Sequence, residues 1–274
     1  MLKKILQKLN PNAEKEMTFL DHLEELRWHL IRSAIAIVVF AIAAFFCKEI
    51  IFDGILLAPK RPDFITARLL CQLGDYLKVD GLCLNQKPFE LISTDIAGQF
   101  TTHMFVALIA GLIVAFPYVF WELWSFIKPA LKEKELKYTR GIVFFASSLF
   151  LLGILFSYYM IVPLSLNFLG SYQVSAEVTN RISLDSYIDI VTNMSLAGGI
   201  TFELPIVVFF LTKIGLIGPT FMRNYRKHAI VVMFILAAII TPSTDVTSQT
   251  LVALPLILLY EISIWVAVSV AKNK

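Results

Sequence analysis

GIVFFASSLFLLGILFSYYMIV, residues Gly141 to Val162, runs for 22 residues without a charged side chain. At 1.5 Å of rise per residue a helix of this length covers about 33 Å, slightly more than the roughly 30 Å hydrocarbon core of a bilayer. In water such a helix would expose apolar surface all round. In lipid, where every backbone N–H and C=O must be satisfied within the segment, it is the form that spans.

Working outward, five further runs bounded by charge, Pro or Gly have the same character. The first extends from Trp28 to Phe46, with Arg32 one turn inside, where it can snorkel to the interface. The second, His103 to Trp124, closes in the aromatic set Phe116, Tyr118, Phe120, Trp121 and Trp124, as membrane interfaces favour. Gly141 to Val162 is the third. The fourth, about Ile188 to Ile214, holds Glu203 in its middle; the fifth, Ala229 to Ile240, covers only about 18 Å. The sixth, about Leu251 to Val270, surrounds Glu261 and is short if that residue marks the interface. The expected fold is therefore all-α, a polytopic membrane protein of six transmembrane helices forming a single membrane domain over residues 1–274.

Composition agrees. Of the 274 residues 57% are hydrophobic and 16% charged, against about a quarter charged in a soluble domain. Disorder, a collagen-like repeat and a basic nucleic-acid binder would each need a composition that is absent here, so no nucleic-acid partner is expected. The first 20 residues carry charges throughout and no uninterrupted apolar core, so no cleavable leader is expected.

Seventeen of the 24 Lys and Arg residues fall at or before Arg32, between Lys128 and Arg140, between Lys213 and Lys227, and at Lys272 and Lys274; the other seven fall on the opposite face. Basic residues accumulate on the cytoplasmic side, so both termini are expected inside. Residues 1–27 then form a cytoplasmic segment with an amphipathic helix, and residues 47–99 a large first periplasmic loop. A shorter outer segment is expected from Pro163 to Tyr187. No repeat of 20 to 50 residues occurs.

Four places carry chemistry. Thr18 to Arg27 reads as an amphipathic helix with Phe19, Leu23, Leu26 and Leu30 at helical spacing. It is either an interfacial helix on which Glu24 and Arg27 pair, or an acidic docking site in which Glu24 and Glu25 accept a guanidinium bidentately, a geometry Arg fits and Lys does not. The stretch Phe126 to Glu135 is a basic connector broken by Pro129, in which Glu133 and Glu135 could complete an anionic cluster. Glu203 is a carboxylate inside a span, either protonated and bonded to a neighbouring helix or functional. Cys71 and Cys83 share the outer loop, where a disulfide between them is expected. No nucleotide, hydrolase or redox motif occurs and the four His do not cluster as ligands, so no enzyme activity, cofactor or metal is expected.

Several stretches together resemble the TatC family of the twin-arginine protein translocase. They are His22–Arg27 (HLEELR), Ala58-Pro59, Phe116-Pro117 through Phe120-Trp-Glu-Leu-Trp124, Phe126–Leu131 (FIKPAL), Phe202–Pro205 (FELP), and Thr241-Pro242 through Asp245 to Thr250. The resemblance implies a receptor in the bacterial inner membrane that binds twin-arginine signal peptides and exports folded proteins on the proton-motive force. It implies single-span TatA-type and TatB-type partners and self-association. By matching position, Glu25 and Glu135 face the arginine pair, with Arg27, Pro129 and Leu131 shaping the site; Glu203 is the polar residue of a membrane-facing pocket; Thr241 and Gln249 contact a partner helix. This chain departs from the pattern at Ser243-Thr244, one residue more than expected, and in the stretch 61–88, which reads as an insertion. Two readings from other classes stay open, a proton-coupled secondary transporter using Glu203 and a purely structural scaffold.

Overall fold

The structure, a computed structural model, describes residues 19–78, 90–128, 141–175, 177, 180–241 and 246–272. Helix α1, Phe19–Phe46, carries the amphipathic segment into the first span without a break. A π-helical stretch, Ile50–Leu56, and a 3-10 turn, Ala58–Lys60, lead to α2, Ile65–Leu77. The second span is α3, Gly98–Ile127, 30 residues long with Pro117 inside it. The third is a rod of α4, Ile142–Phe156, a π-helical stretch, Ser157–Ile161, and α5, Val162–Ser171. The fourth consists of α6, Leu184–Phe202, and α7, Leu204–Ile214, separated at Glu203. A short α8, Pro219–Asn224, precedes the fifth span, α9, Arg226–Ile240, and the sixth, α10, Val246–Lys272. One parallel pairing of two residues, β1 Leu91–Ile92 with β2 Ile182–Ser183, ties the two outer segments together.

Five of these rods are long and apolar enough to cross a membrane. With α9, whose 15 residues reach about 22 Å, they form the six spans of an all-α fold.

The structure corrects three extents. The helix ending at Val162 continues nine residues further, to Ser171, through Pro163. Pro163 has no N–H for the carbonyl of Tyr159, four residues back, and that carbonyl accepts instead from the hydroxyl of Thr66. The first outer segment is not a loop up to its insertion. Tyr158 donates to the Ile55 carbonyl at 2.6 Å and Tyr187 to that of Leu56 at 2.8 Å, docking the π-helical stretch on the bundle, and within the stretch read as an insertion Phe64, just before α2, and Ala67 of α2 are buried. Finally, the sixth span, expected from about Leu251 to Val270, starts earlier, at Val246 of α10. It continues to Lys272, and Glu261 pairs with Arg226, the first residue of α9, at 2.8 Å.

Close approach between spans rests on small residues. A Cβ on Gly111 of α3 would lie 2.5 Å from the Ala41 nitrogen of α1, and one on Gly153 of α4 would lie 2.5 Å from the Gly198 carbonyl of α6. The main core lies where α6 meets the other spans, around Val162, Tyr187, Ile188, Val191 and Val252.

Cys47 is free and exposed, and Cys71 is disulfide-bonded. Cys83, the partner expected from the sequence, lies outside the described residues. Alkylation without reductant followed by intact-mass measurement is expected to label one cysteine of the three; labelling of all three would rule out the bridge.

Candidate functional site

Two stripes face each other at one end of the bundle, the end that holds Glu25, Lys128, Lys213 and Arg226. On α1 the stripe is His22, Glu25, His29 and Arg32, at spacings of three, four and three, so all four side chains share one face. On α3 it is Tyr118, Glu122 and Phe126, each one turn from the next. The His22 ring stacks on Phe126 with centroids 4.4 Å apart, and His29 meets the same ring edge-on at 6.1 Å. Below them Glu122 is 1% exposed. Its Oε2 is bonded to His29 Nδ1 and lies 3.5 Å from the Arg32 guanidinium, and its Oε1 accepts from the Tyr118 hydroxyl at 2.7 Å.

Glu25 stands between His22 and His29 on this seam. It is half-buried, and its Oε2 is shielded from solvent without a hydrogen-bond partner among the described residues. A shielded carboxylate oxygen left unpaired costs free energy that a bidentate cation recovers. Arg27 is exposed on the neighbouring face. Pro129, Leu131 and Glu135 lie outside the described residues. The described part of α3 ends at Lys128, immediately before them, so the chain carrying Glu135 leaves from the helix against which α1 packs.

Glu203 stands apart from this seam. It occupies the break between α6 and α7, and both of its carboxylate oxygens are shielded without a hydrogen-bond partner among the described residues. Pro205, second in α7, has no N–H for the Thr201 carbonyl, so the rod breaks just before it and leaves the carboxylate at the discontinuity. Thr241 is 2% exposed and donates to the Ala237 carbonyl at 2.8 Å; Gln249 donates to the Phe234 carbonyl at 3.1 Å, tying α10 to α9. Both donors are thus engaged inside the chain. The stretch Pro242 to Asp245 lies outside the described residues.

Glu122 is the member of the site that sequence reasoning passed over. Its signal was present, a carboxylate inside the second span one turn from Tyr118 and one from Phe126, but the aromatic residues around it read as an interfacial belt. Its partners come from α1, more than 80 residues earlier in the chain, and spacing along the sequence does not bring them together. Among the described residues no cluster of three or more His, Cys, Asp or Glu could hold a metal ion.

Six spans, a half-buried ionic seam at one end and a carboxylate at a helix break define a multi-pass membrane protein. Residues 21–255 match the family model described as "Sec-independent protein translocase protein (TatC)", and the chain belongs to that family. It is 41% identical over 265 residues to the Sec-independent protein translocase protein TatC of Blattabacterium sp. subsp. Periplaneta americana, covering 96% of this chain and 99% of the relative. It is 35% identical to the protein of the same name from Aquifex aeolicus, covering 94% of this chain and 98% of that one. A crystal structure described as the twin arginine translocase receptor TatC superposes with a TM-score of 0.66 at 33% identity, over 91% of this chain and 99% of the other. A second, of the receptor in DDM, gives a TM-score of 0.68 at 35% identity over 90% of this chain and 99% of the other. The protein is accordingly a multi-pass membrane component of the Sec-independent translocase.

Proposed function

We propose that the protein is the signal-peptide receptor of a twin-arginine translocase in the bacterial inner membrane, with both termini in the cytoplasm. It hands folded cargo to single-span TatA-type and TatB-type partners, in a process driven by the proton-motive force. The observation that carries this reading is the carboxylate oxygen of Glu25, shielded and without a hydrogen-bond partner among the described residues, on a seam shared with α3, which precedes Glu135 in the sequence. Two carboxylates there supply four acceptor sites for two guanidinium forks, whereas an ammonium presents a point charge and no planar fork. The reading gives the protein no covalent chemistry of its own.

Partner helices fit the side formed by α6, α9 and α10. Ser186, Asp189, Asn193 and Ala197 of α6 line a recess of about 500 Å³ closed by Ile239 and Ile240 of α9. Asp189, 14 residues before Glu203, shares roughly one face of the rod with it. A polar stripe open to lipid is stabilised by a neighbour that carries its own polar residue.

The test is photo-crosslinking of a twin-arginine signal peptide to the purified protein. Crosslinks are expected at residues around Glu25 and in 129–135, and a twin-lysine version should fail to compete. A peptide that crosslinks only along α6 or α10, or equal competition by the twin-lysine peptide, would reject the receptor site.

A further inference from the structure

We propose that Glu122, held by His29, Arg32 and Tyr118, is the positioning residue of the receptor site, fixing where α1 presents Glu25; this rests on the receptor reading above. Among the described residues little but α3 holds α1. Only 6% of its most apolar stretch is buried inside the chain, and its substantial packing runs along α3 alone.

Besides the rings of His22 and His29 on Phe126, that contact has three locks. At the end remote from Glu25, His103 of α3 stacks on Phe45 with centroids 4.1 Å apart, and its Nε2 lies 3.1 Å from the Phe45 carbonyl. Midway, Gly111 admits the α1 backbone at Ala41 and Ile37. At the Glu25 end the lock is Glu122, which joins two side chains of α1 to Tyr118 of its own helix. The first two locks lie 12 or more residues along α1 from Glu25, a separation of at least about 18 Å, whereas the third is next to the site. His29 lies one turn from Glu25 on the same face.

Glu122 is also excluded from receiving the peptide's arginines itself. It is buried, and His29, Arg32 and Tyr118 already occupy its two oxygens. Its role is geometric, and a group that accepts the same hydrogen bonds without the charge should substitute for it.

The experiment measures binding of a labelled twin-arginine signal peptide to the full-length protein in detergent. Glu122→Ala is expected to weaken binding about tenfold, whereas Glu122→Gln, whose oxygen can accept from His29 and Arg32 while its NH2 donates to the Tyr118 hydroxyl oxygen, should stay within about twofold of the parent. In a Glu25→Gln background Glu122→Ala should add no further loss, because it acts through Glu25. Arg32 is half-exposed and can be changed without opening the core, so Arg32→Gln serves as a second probe and should weaken binding about threefold. Parent-like binding in Glu122→Ala and Arg32→Gln, an equal loss in Glu122→Gln and Glu122→Ala, or additive losses in the double variant would each overturn the positioning role. Failure of the receptor reading looks different: the parent protein would not bind the peptide, or Glu25→Gln would bind as the parent does.

Discussion

Replacing Glu25 by Ala is expected to lower affinity for a twin-arginine signal peptide by two orders of magnitude or more, and Glu135→Ala to do the same. Removing one partner of a desolvated, hydrogen-bonded ion pair costs about 3–5 kcal/mol, largely because the other charge is left without compensation. At about 1.4 kcal/mol per decade, even the lower figure is more than a hundredfold. Glu25 meets the condition of desolvation, since one of its oxygens is already shielded and has no hydrogen-bond partner among the described residues. An exposed pair would give only about 0–1 kcal/mol. Glu24, exposed on the next face of the helix, therefore serves as the internal control and should change affinity by less than about fivefold when replaced by Ala. Titration calorimetry with the purified protein reads all three variants, and parent-like affinity in both Glu25→Ala and Glu135→Ala would discard the site.

The second large effect is expected on stability, at the crossing of α4 and α6. A Cβ on Gly198 would stand 1.6 Å from the Ser157 hydroxyl oxygen, 2.7 Å from its Cβ and 2.9 Å from the Gly153 carbonyl. The hydroxyl could rotate away, but the Ser157 Cβ and the Gly153 carbonyl move only with their helix. Overpacking ordinarily costs about 1–3 kcal/mol, and contact with backbone puts Gly198→Val at the top of that range or above it. Gly198→Ala should already lower the detergent melting temperature, and adding Ser157→Gly should restore part of the loss by removing the nearest obstacle. A melting temperature unchanged in Gly198→Ala would show that the helices cross more loosely than this geometry allows.

How much of this was legible in the sequence follows from what each signal measures. Uncharged length marks a span directly, because lipid leaves a helix no other way to satisfy its backbone, and five of the six spans stand out on that ground. Their ends do not. Pro163 reads as a stop because proline lacks a donor, yet the orphaned Tyr159 carbonyl finds Thr66, almost a hundred residues earlier in the chain. Glu261, inside the expected sixth span, is compensated by Arg226 from another helix, a partner that spacing along the sequence does not reveal. The proposed site divides in the same way. Glu25 was visible as a carboxylate in an amphipathic helix, and Glu122 was not, since its meaning lies in three partners of which two belong to α1.

The attachment of α1 along one neighbour has a further consequence, in linkage. A peptide that bridges Glu25 on α1 and Glu135 beyond the end of α3 binds only when the two helices are together, so occupancy and docking of α1 are the same equilibrium seen from two sides. At a peptide concentration one hundred times Kd the docked state gains about 2.7 kcal/mol, roughly a hundredfold fewer openings. On the proposed receptor reading, peptide binding is thereby converted into rigidity along α1, expected as slowed amide exchange far from the arginines, near Gly111 and His103.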